Sequence, residues 1–250
     1  MLYLQESIYN VKCIVAYDGY DYQGFQIQHD EPTIELELKK ALSILFNEDV
    51  KIYASGRTDK GVHARGQVIN FYTKMKIDEC KFKYAFNRTL PHDIRILDLK
   101  YVDNDFHARF SAKSKEYRYY IKTKNYDVFE SRYSVYIPNL DVERMKDALA
   151  LFVGTHDFSA FCSAEVDERK SCVKTITKAE LNVIGDNLEF VFEGTGFLKY
   201  QIRRMMGTII AIGRGKEDKK RILELFESKS KQMRFPIAPG NGLFLYKVNY

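Results

Sequence analysis

Strand-like and helix-like runs follow one another in the same order twice along this chain, with no long linker between them. That repeated grammar bounds what the chain can fold into. In the first half, Val11–Tyr17 alternates apolar residues with others, as a strand does. Pro32-Thr33 precedes a helical pattern over Ile34–Phe46, with Ile34, Leu38, Ala41, Leu42 and Leu45 at helical spacing, ended by Asn47-Glu48-Asp49. Cys80–Leu90 is a second helix, stopped by Pro91, and Ile94–Val102 returns as a strand. In the second half Tyr117, Tyr119 and Ile121 alternate with Arg118, Tyr120 and Lys122, so a strand there has two chemically different faces. Asp141 caps a helix that runs through Val153 and is closed by Gly154. Thr175–Val183 and Leu188–Glu193 read as a hairpin turning at Gly185-Asp186-Asn187. Gly196 opens a helix through Arg203, Arg204 and Ile209; Lys216–Phe226 is a short charged helix, and Leu243–Val248 a closing strand. The expectation is an α+β fold of two similar halves, 1–105 and 106–250, with a boundary near Asp103-Asn104-Asp105 and a cleft between them.

Between the first helix and the second lies Ser55-Gly56-Arg57-Thr58-Asp59-Lys60-Gly61-Val62-His63-Ala64-Arg65-Gly66-Gln67-Val68. It sets one carboxylate, Asp59, in a loop of glycines, a Thr and flanking cations. Thr and Asp side chains bond to nearby backbone and tighten such loops. Arg57 and Lys60 would hold the carboxylate ionised and could also meet phosphate. The strand-like run Gln67–Tyr72 would anchor the loop to a sheet. On spacing alone, a single Asp in a glycine-rich turn is more often structural than catalytic.

Composition narrows the partners. A formal net charge of +5 suits an anionic partner, and the 14% aromatic content, without Trp, rests on Tyr and Phe, which pack cores first and stack on bases where exposed. Cys13, Cys80, Cys162 and Cys172 lie far apart with no CxxC pairing, so reduced thiols in a cytosol-like compartment are the default. Five histidines (His29, His63, His92, His107 and His156) are scattered without metal-binding spacing, and no P-loop or dinucleotide fingerprint is present. Met1–Glu6 lacks the pattern of a signal peptide, and no segment has the apolar length of a membrane span. The expectation is a cytoplasmic protein that uses no metal or nucleotide cofactor and does not enter a membrane.

The Ser55–Val68 string resembles the catalytic loop of the TruA family of tRNA pseudouridine synthases, with Lys60 where the family usually has a small residue. Further segments are similar to the family in the same order. They are Tyr17-Asp18-Gly19 with Gly24-Phe25-Gln26-Ile27-Gln28, where Phe25 replaces a common Trp, and Asn87–Arg95 around Leu90-Pro91. Phe106-His107-Ala108-Arg109-Phe110-Ser111 leads to Lys115-Glu116-Tyr117-Arg118-Tyr119, and Gly154–Phe158 follows. Gly196-Phe197-Leu198 with Arg203–Gly207, then Ala238-Pro239 with Gly242-Leu243, complete a match across nearly the whole chain. Leu36 stands where the family often has Gly.

The resemblance implies a pseudouridine synthase fold, in which two halves join antiparallel sheets across a central cleft with helices on the outer face. It implies Asp59 as the nucleophile, Arg203 as the cation that pairs with it, and Tyr117 as the aromatic that stacks on the target uracil and takes the C5 proton. Arg57 is the second candidate partner of Asp59, and neighbouring Arg204 suits a phosphate. Arg57, Lys60, Arg65, Arg109 and Arg118 are expected at the RNA, with Leu243 in the apolar wall behind the base; His63 and His107 are expected to fix loops. The implied substrate is tRNA, at positions thirty-eight to forty of the anticodon arm, handled by a homodimer. An RNA uridine isomerase with another target and a non-catalytic RNA-binding protein of the same fold remain alternatives, and a hydrolytic nucleosidase a weaker one.

Overall fold

The structure, a computed structural model, describes residues 8–163, 171–229 and 236–250. The chain divides into two compact units: one takes the chain up to Lys113 together with Leu245–Tyr250, and the other is Ser114–Phe244. Met1–Glu6 lies outside the described residues.

The first unit runs β1 (Tyr9–Tyr17), α1 (Ile34–Phe46), β2 (Tyr53–Ala54), β3 (His63–Thr73), α2 (Glu79–Thr89) and β4 (Ile94–Val102). β1 lies between β4 and β3, antiparallel to both, and β2 adds to β3. The alternation read from β1 is the alternation of burial: Val11, Cys13, Val15 and Tyr17 face the core. α1 buries Ile34, Leu38, Ala41 and Leu42, whereas Leu45 is only half-buried. It ends at Asn47, whose left-handed backbone turns its N–H back to the Ser43 carbonyl. α2 starts earlier than expected because the Asp78 carboxylate accepts from Lys81 N–H and caps it. It stops at Thr89 because Leu90, ahead of Pro91, is extended. Phe71 on β3 packs against Phe82 and Phe86 of α2 and Phe46 of α1, with ring centroids 6.1 to 6.3 Å away. Each such burial is worth roughly 1.5–3 kcal/mol relative to exposure.

The second unit contains β5 (Ser114–Lys122), β6 (Val135–Tyr136), α3 (Val142–Ala150), β7 (Gly154–Asp157), β8 (Val173–Ile184), β9 (Asn187–Gly194), α4 (Gln201–Gly213) and α5 (Lys220–Ser228). Its sheet runs β5-β9-β8-β7, antiparallel throughout, with the short β6 parallel beside β5. The chain then enters β10 (Leu243–Asn249), whose residues from Leu245 onward belong to the first unit, where β10 neighbours β3. The α+β class with antiparallel sheets is thus the observed one.

Three further helices differ from expectation. α3 ends at Ala150, not Val153, because the N–H groups of Leu151, Phe152 and Val153 bond three residues back, to Ala148, Leu149 and Ala150, and the last turn tightens. α4 begins at Gln201, not Gly196: Tyr200 takes a left-handed backbone (φ 66°), and the Gln201 side chain reaches back to accept from Leu198 N–H. The charged helix spans Lys220–Ser228, not Lys216–Phe226. The β8–β9 hairpin pairs Ile184 with Asn187 across Gly185-Asp186, as expected.

Candidate active site

The Ser55–Val68 motif is half loop and half strand. β3 begins at His63, so only the segment before it is free of sheet pairing, and Asp59 sits half-buried within that segment. The strand expected from Gln67 begins four residues earlier, because β1 captures Ala64 as well as Gln67, as partners of Tyr17 and Val15.

Buried groups and main-chain bonds fix the loop around Asp59. The Thr58 hydroxyl, 7% exposed, lies 2.8 Å from the Tyr17 hydroxyl. Phe25 N–H donates to the Thr58 carbonyl at 3.0 Å, Val62 N–H to the Asp59 carbonyl at 3.1 Å, and Gly61 N–H to the Tyr22 carbonyl at 3.2 Å. Gly24 has φ +104°, and a Cβ there would stand 2.7 Å from the Thr58 oxygen, so the backbones meet only because the residue is glycine. Gly24 and Phe25 are held from the other side by α1, whose first N–H groups, of Ile34 and Glu35, donate to their carbonyls. His63, 1% exposed, accepts from Gly19 N–H at Nδ1 (3.0 Å), the loop-fixing role expected of it. His107 likewise accepts from Arg109 N–H. Arg57, Lys60 and Arg65 are exposed within the motif; Arg109, outside it, is also exposed, its guanidinium 5.8 Å from the Phe110 ring centroid.

Tyr117, Arg203, Arg118 and Leu243 belong to the second unit. Tyr117 on β5 is 8% exposed, with its ring edge-to-face against Phe197 at 5.2 Å. Arg203 stands in the first turn of α4, its Nε donating to the Ala238 carbonyl at 2.7 Å. Its own carbonyl accepts from Ala238 N–H. Tyr119 donates to the adjacent Pro239 carbonyl at 3.0 Å, so the Ala238-Pro239 segment is strapped down from two sides just before buried Leu243. None of Phe197, Tyr17, Gln67 or Tyr250 was assigned a site role from the sequence; Phe197, Tyr17 and Gln67 lie inside the quoted motifs, which was the available signal.

Arg118 differs from a cation waiting for phosphate. Its Nε donates to Glu116 at 2.7 Å and an Nη to Glu189 at 2.9 Å. Burial pushes the Glu189 carboxyl up, but bonds from Asn182, Arg118 and Tyr120 outweigh burial and hold it below its usual range. Tyr120 is pushed up to about 12 by burial and by Glu189. A carboxyl lowered on folding stabilises above its unfolded pKa, near ~4.3, and that contribution is lost as pH falls through the folded value. Glu189→Gln is therefore expected to flatten the fall of Tm between about pH 5 and pH 3. An unaltered slope would remove Glu189 from the acid response.

Among the described residues, no group of three or more His, Cys, Asp and Glu is placed to hold a metal ion, and no helix is long and apolar enough to cross a membrane. None of the cysteines is in a disulfide among the described residues.

A family model described as tRNA pseudouridine synthase matches residues 13–111 and 148–250. The tRNA pseudouridine synthase A of a Geobacillus strain is 45% identical over 245 residues, covering 96% of this chain and 98% of the relative. The tRNA pseudouridine synthase A 1 of Bacillus cereus is 42% identical over 243 residues, covering 96% and 98%. That of Oceanobacillus iheyensis, a tRNA pseudouridine synthase A, is 41% identical over 243 residues, covering 96% of each chain. Identity at this level along almost the whole of both chains, with the Asp59 loop intact, shows that the chain belongs to the TruA family of tRNA pseudouridine synthases, isomerases of uridine in tRNA.

Proposed function

We propose that this protein converts uridine to pseudouridine at positions thirty-eight to forty of the tRNA anticodon arm, as a cytoplasmic homodimer, with Asp59 as the nucleophile. The observation that carries the reading is the Asp59 loop: a half-buried carboxylate on a backbone pinned at Thr58, Asp59 and Gly61, with exposed cations on both sides. A fixed, ionised carboxylate bordered by positive charge is what attack on a polyanion's sugar needs.

The reaction breaks the bond from ribose C1′ to uracil N1, turns the base and joins C5 to C1′. N1 gains a proton and C5 loses one, so the net change is an isomerisation and no electrons are exchanged with a cofactor. Asp59 acts on the ribose, by attack at C1′ or by removing the C2′ proton, and either route needs the ionised carboxylate. Arg203 supplies the cation that favours that ionised form. Tyr117 takes the uracil by its face once the nucleotide leaves its stack, and its hydroxyl receives the C5 proton. Leu243 lines the base. Arg57, Lys60, Arg65 and Arg109 meet the RNA backbone, where each phosphate contact adds salt-dependent affinity. Arg118, already met by two carboxylates, contributes least.

Tyr117→Phe keeps the ring and removes the hydroxyl, so it is expected to slow product formation about a hundredfold with little change in tRNA affinity. An unchanged rate would leave Tyr117 a stacking platform only. The reading as a whole is tested with unmodified tRNA carrying tritium at uridine C5, with no metal or cofactor added. Release of tritium to water, mapped to positions thirty-eight to forty, is the expected result. Tight binding without release would favour a non-catalytic RNA-binding protein, and release from another position a different target.

A further inference from the structure

Beneath the loop that carries Asp59 lies a row of buried polar side chains for which the reaction itself has no use. Ser55 and Gln67 are fully buried, Tyr17 is 4% exposed and Thr58 7%. Gln67 is the hub. Its Nε2 donates to the Gly56 carbonyl at 2.7 Å, and its Oε1 accepts from the Ser55 hydroxyl at 3.0 Å and from Val68 N–H at 3.1 Å. The Gln67 side chain also bonds to the Tyr17 hydroxyl, which lies 2.8 Å from the Thr58 hydroxyl. At the other end the Tyr250 hydroxyl, beside the Ser55 side chain, donates to the Ala108 carbonyl at 2.7 Å. Every one of these groups lies in the first unit.

The contacts fall on Ser55, Gly56 and Thr58, the stretch leading to Asp59. Past Ser55, whose N–H donates to the Val68 carbonyl of β3 at 2.8 Å, strand pairing does not hold that stretch, because β2 ends at Ala54 and β3 starts at His63. Hydrogen bonds among fully buried polar groups select one geometry, since any slip leaves a donor or acceptor unpaired away from water. From Ser55 to Asp59 the chain carries no apolar side chain whose packing could do the same.

We propose that Tyr17 and Gln67 are positioning residues for Asp59, setting the backbone at Gly56 and Thr58 so that the carboxylate meets the ribose in one orientation. The inference rests on Asp59 being the nucleophile. It predicts that these side chains act on turnover and not on tRNA affinity, because neither is exposed to RNA.

The test uses the whole protein and C5-tritiated tRNA. Tyr17→Phe keeps the ring and removes the hydroxyl; it is expected to lower kcat about tenfold or more, with KM and the tRNA dissociation constant within about twofold. Thr58→Ser, which keeps a hydroxyl, should retain most of kcat, whereas Thr58→Val should lose it. The double variant Tyr17→Phe/Thr58→Val should lose less than the product of the two single losses, since the Tyr17–Thr58 hydrogen bond is removed in each. Wild-type kcat in Tyr17→Phe, a loss confined to KM, or additive losses in the double variant would overturn the proposal. Asp59→Asn, run alongside, separates the two failures. Inactive Asp59→Asn with unaffected Tyr17→Phe removes the positioning role alone, whereas an active Asp59→Asn removes the nucleophile and this role with it.

Discussion

Asp59→Asn is expected to abolish tritium release from C5-labelled tRNA, while tRNA affinity stays within a few-fold of wild type. The amide has the shape of the carboxylate but neither its charge nor its nucleophilicity, and groups that act as a unit in catalysis lose on the order of 10⁴-fold or more when one is removed. Binding survives because phosphate contacts come from the surrounding arginines and lysines, which the substitution leaves in place. The fold survives as well: the bonds from Phe25 N–H to Thr58 and from Val62 N–H to Asp59 use main-chain carbonyls, which the substitution leaves in place. Single-turnover kinetics with enzyme in excess, together with a thermal melt, make the check. Turnover within about tenfold of wild type would take Asp59 out of the nucleophile's role, because the amide cannot attack C1′ or remove a C2′ proton at such a rate.

Gly19→Ala is expected to cost both stability and rate, although Gly19 carries no chemistry. A Cβ at this position would stand 1.9 Å from the Val62 carbonyl oxygen and 2.7 Å from its carbon, well inside the 3.0 Å that real Cβ contacts respect. Neither side yields easily. Gly19 N–H is tied to buried His63, Asp18 N–H to the Asp93 carbonyl, and Val62 N–H to the Asp59 carbonyl. Whatever moves carries the Asp59 backbone with it. Overpacking of this kind destabilises by roughly 1–3 kcal/mol. A misplacement near an ångström at a reacting group costs about a hundredfold in rate. The measurement is kcat at a temperature where the melt shows the variant fully folded. Wild-type kcat there would mean that the loop absorbs the methyl group without moving its carboxylate.

The two substitutions separate what was legible in the sequence from what was not. Asp59 was legible because its neighbours form one contiguous string, Ser55–Val68, that resembles a family motif. Gly19 was also quoted, within Tyr17-Asp18-Gly19, yet nothing in that string says that its α-carbon presses on Val62. The same split runs through the fold. α1 spans Ile34–Phe46 as its apolar spacing requires, and β4 spans Ile94–Val102. In both, the signal and the structure lie within a few residues of each other. α4 was placed too early because Gly196-Phe197-Leu198 carries no sequence mark of the left-handed turn at Tyr200. β3 was placed too late because His63–Arg65 has a loop's composition, and pairing with β1 overrides it.

Arg118 shows why side-chain chemistry was harder to read than backbone. As a cation among cations it suggested RNA, but β5 pairs it with Val191 and so sets it near Glu189, 71 residues away, which meets its charge. The sequence by itself determined the α+β class, most elements and the family, because periodicity, capping and contiguous motifs act over short stretches of chain. Only the tertiary structure decided which polar groups are buried together: Tyr17 with Thr58, 41 residues on, and Tyr250 with Ala108, 142 residues back. Strand register and burial bring those groups together, and neither is a property of a short stretch of sequence.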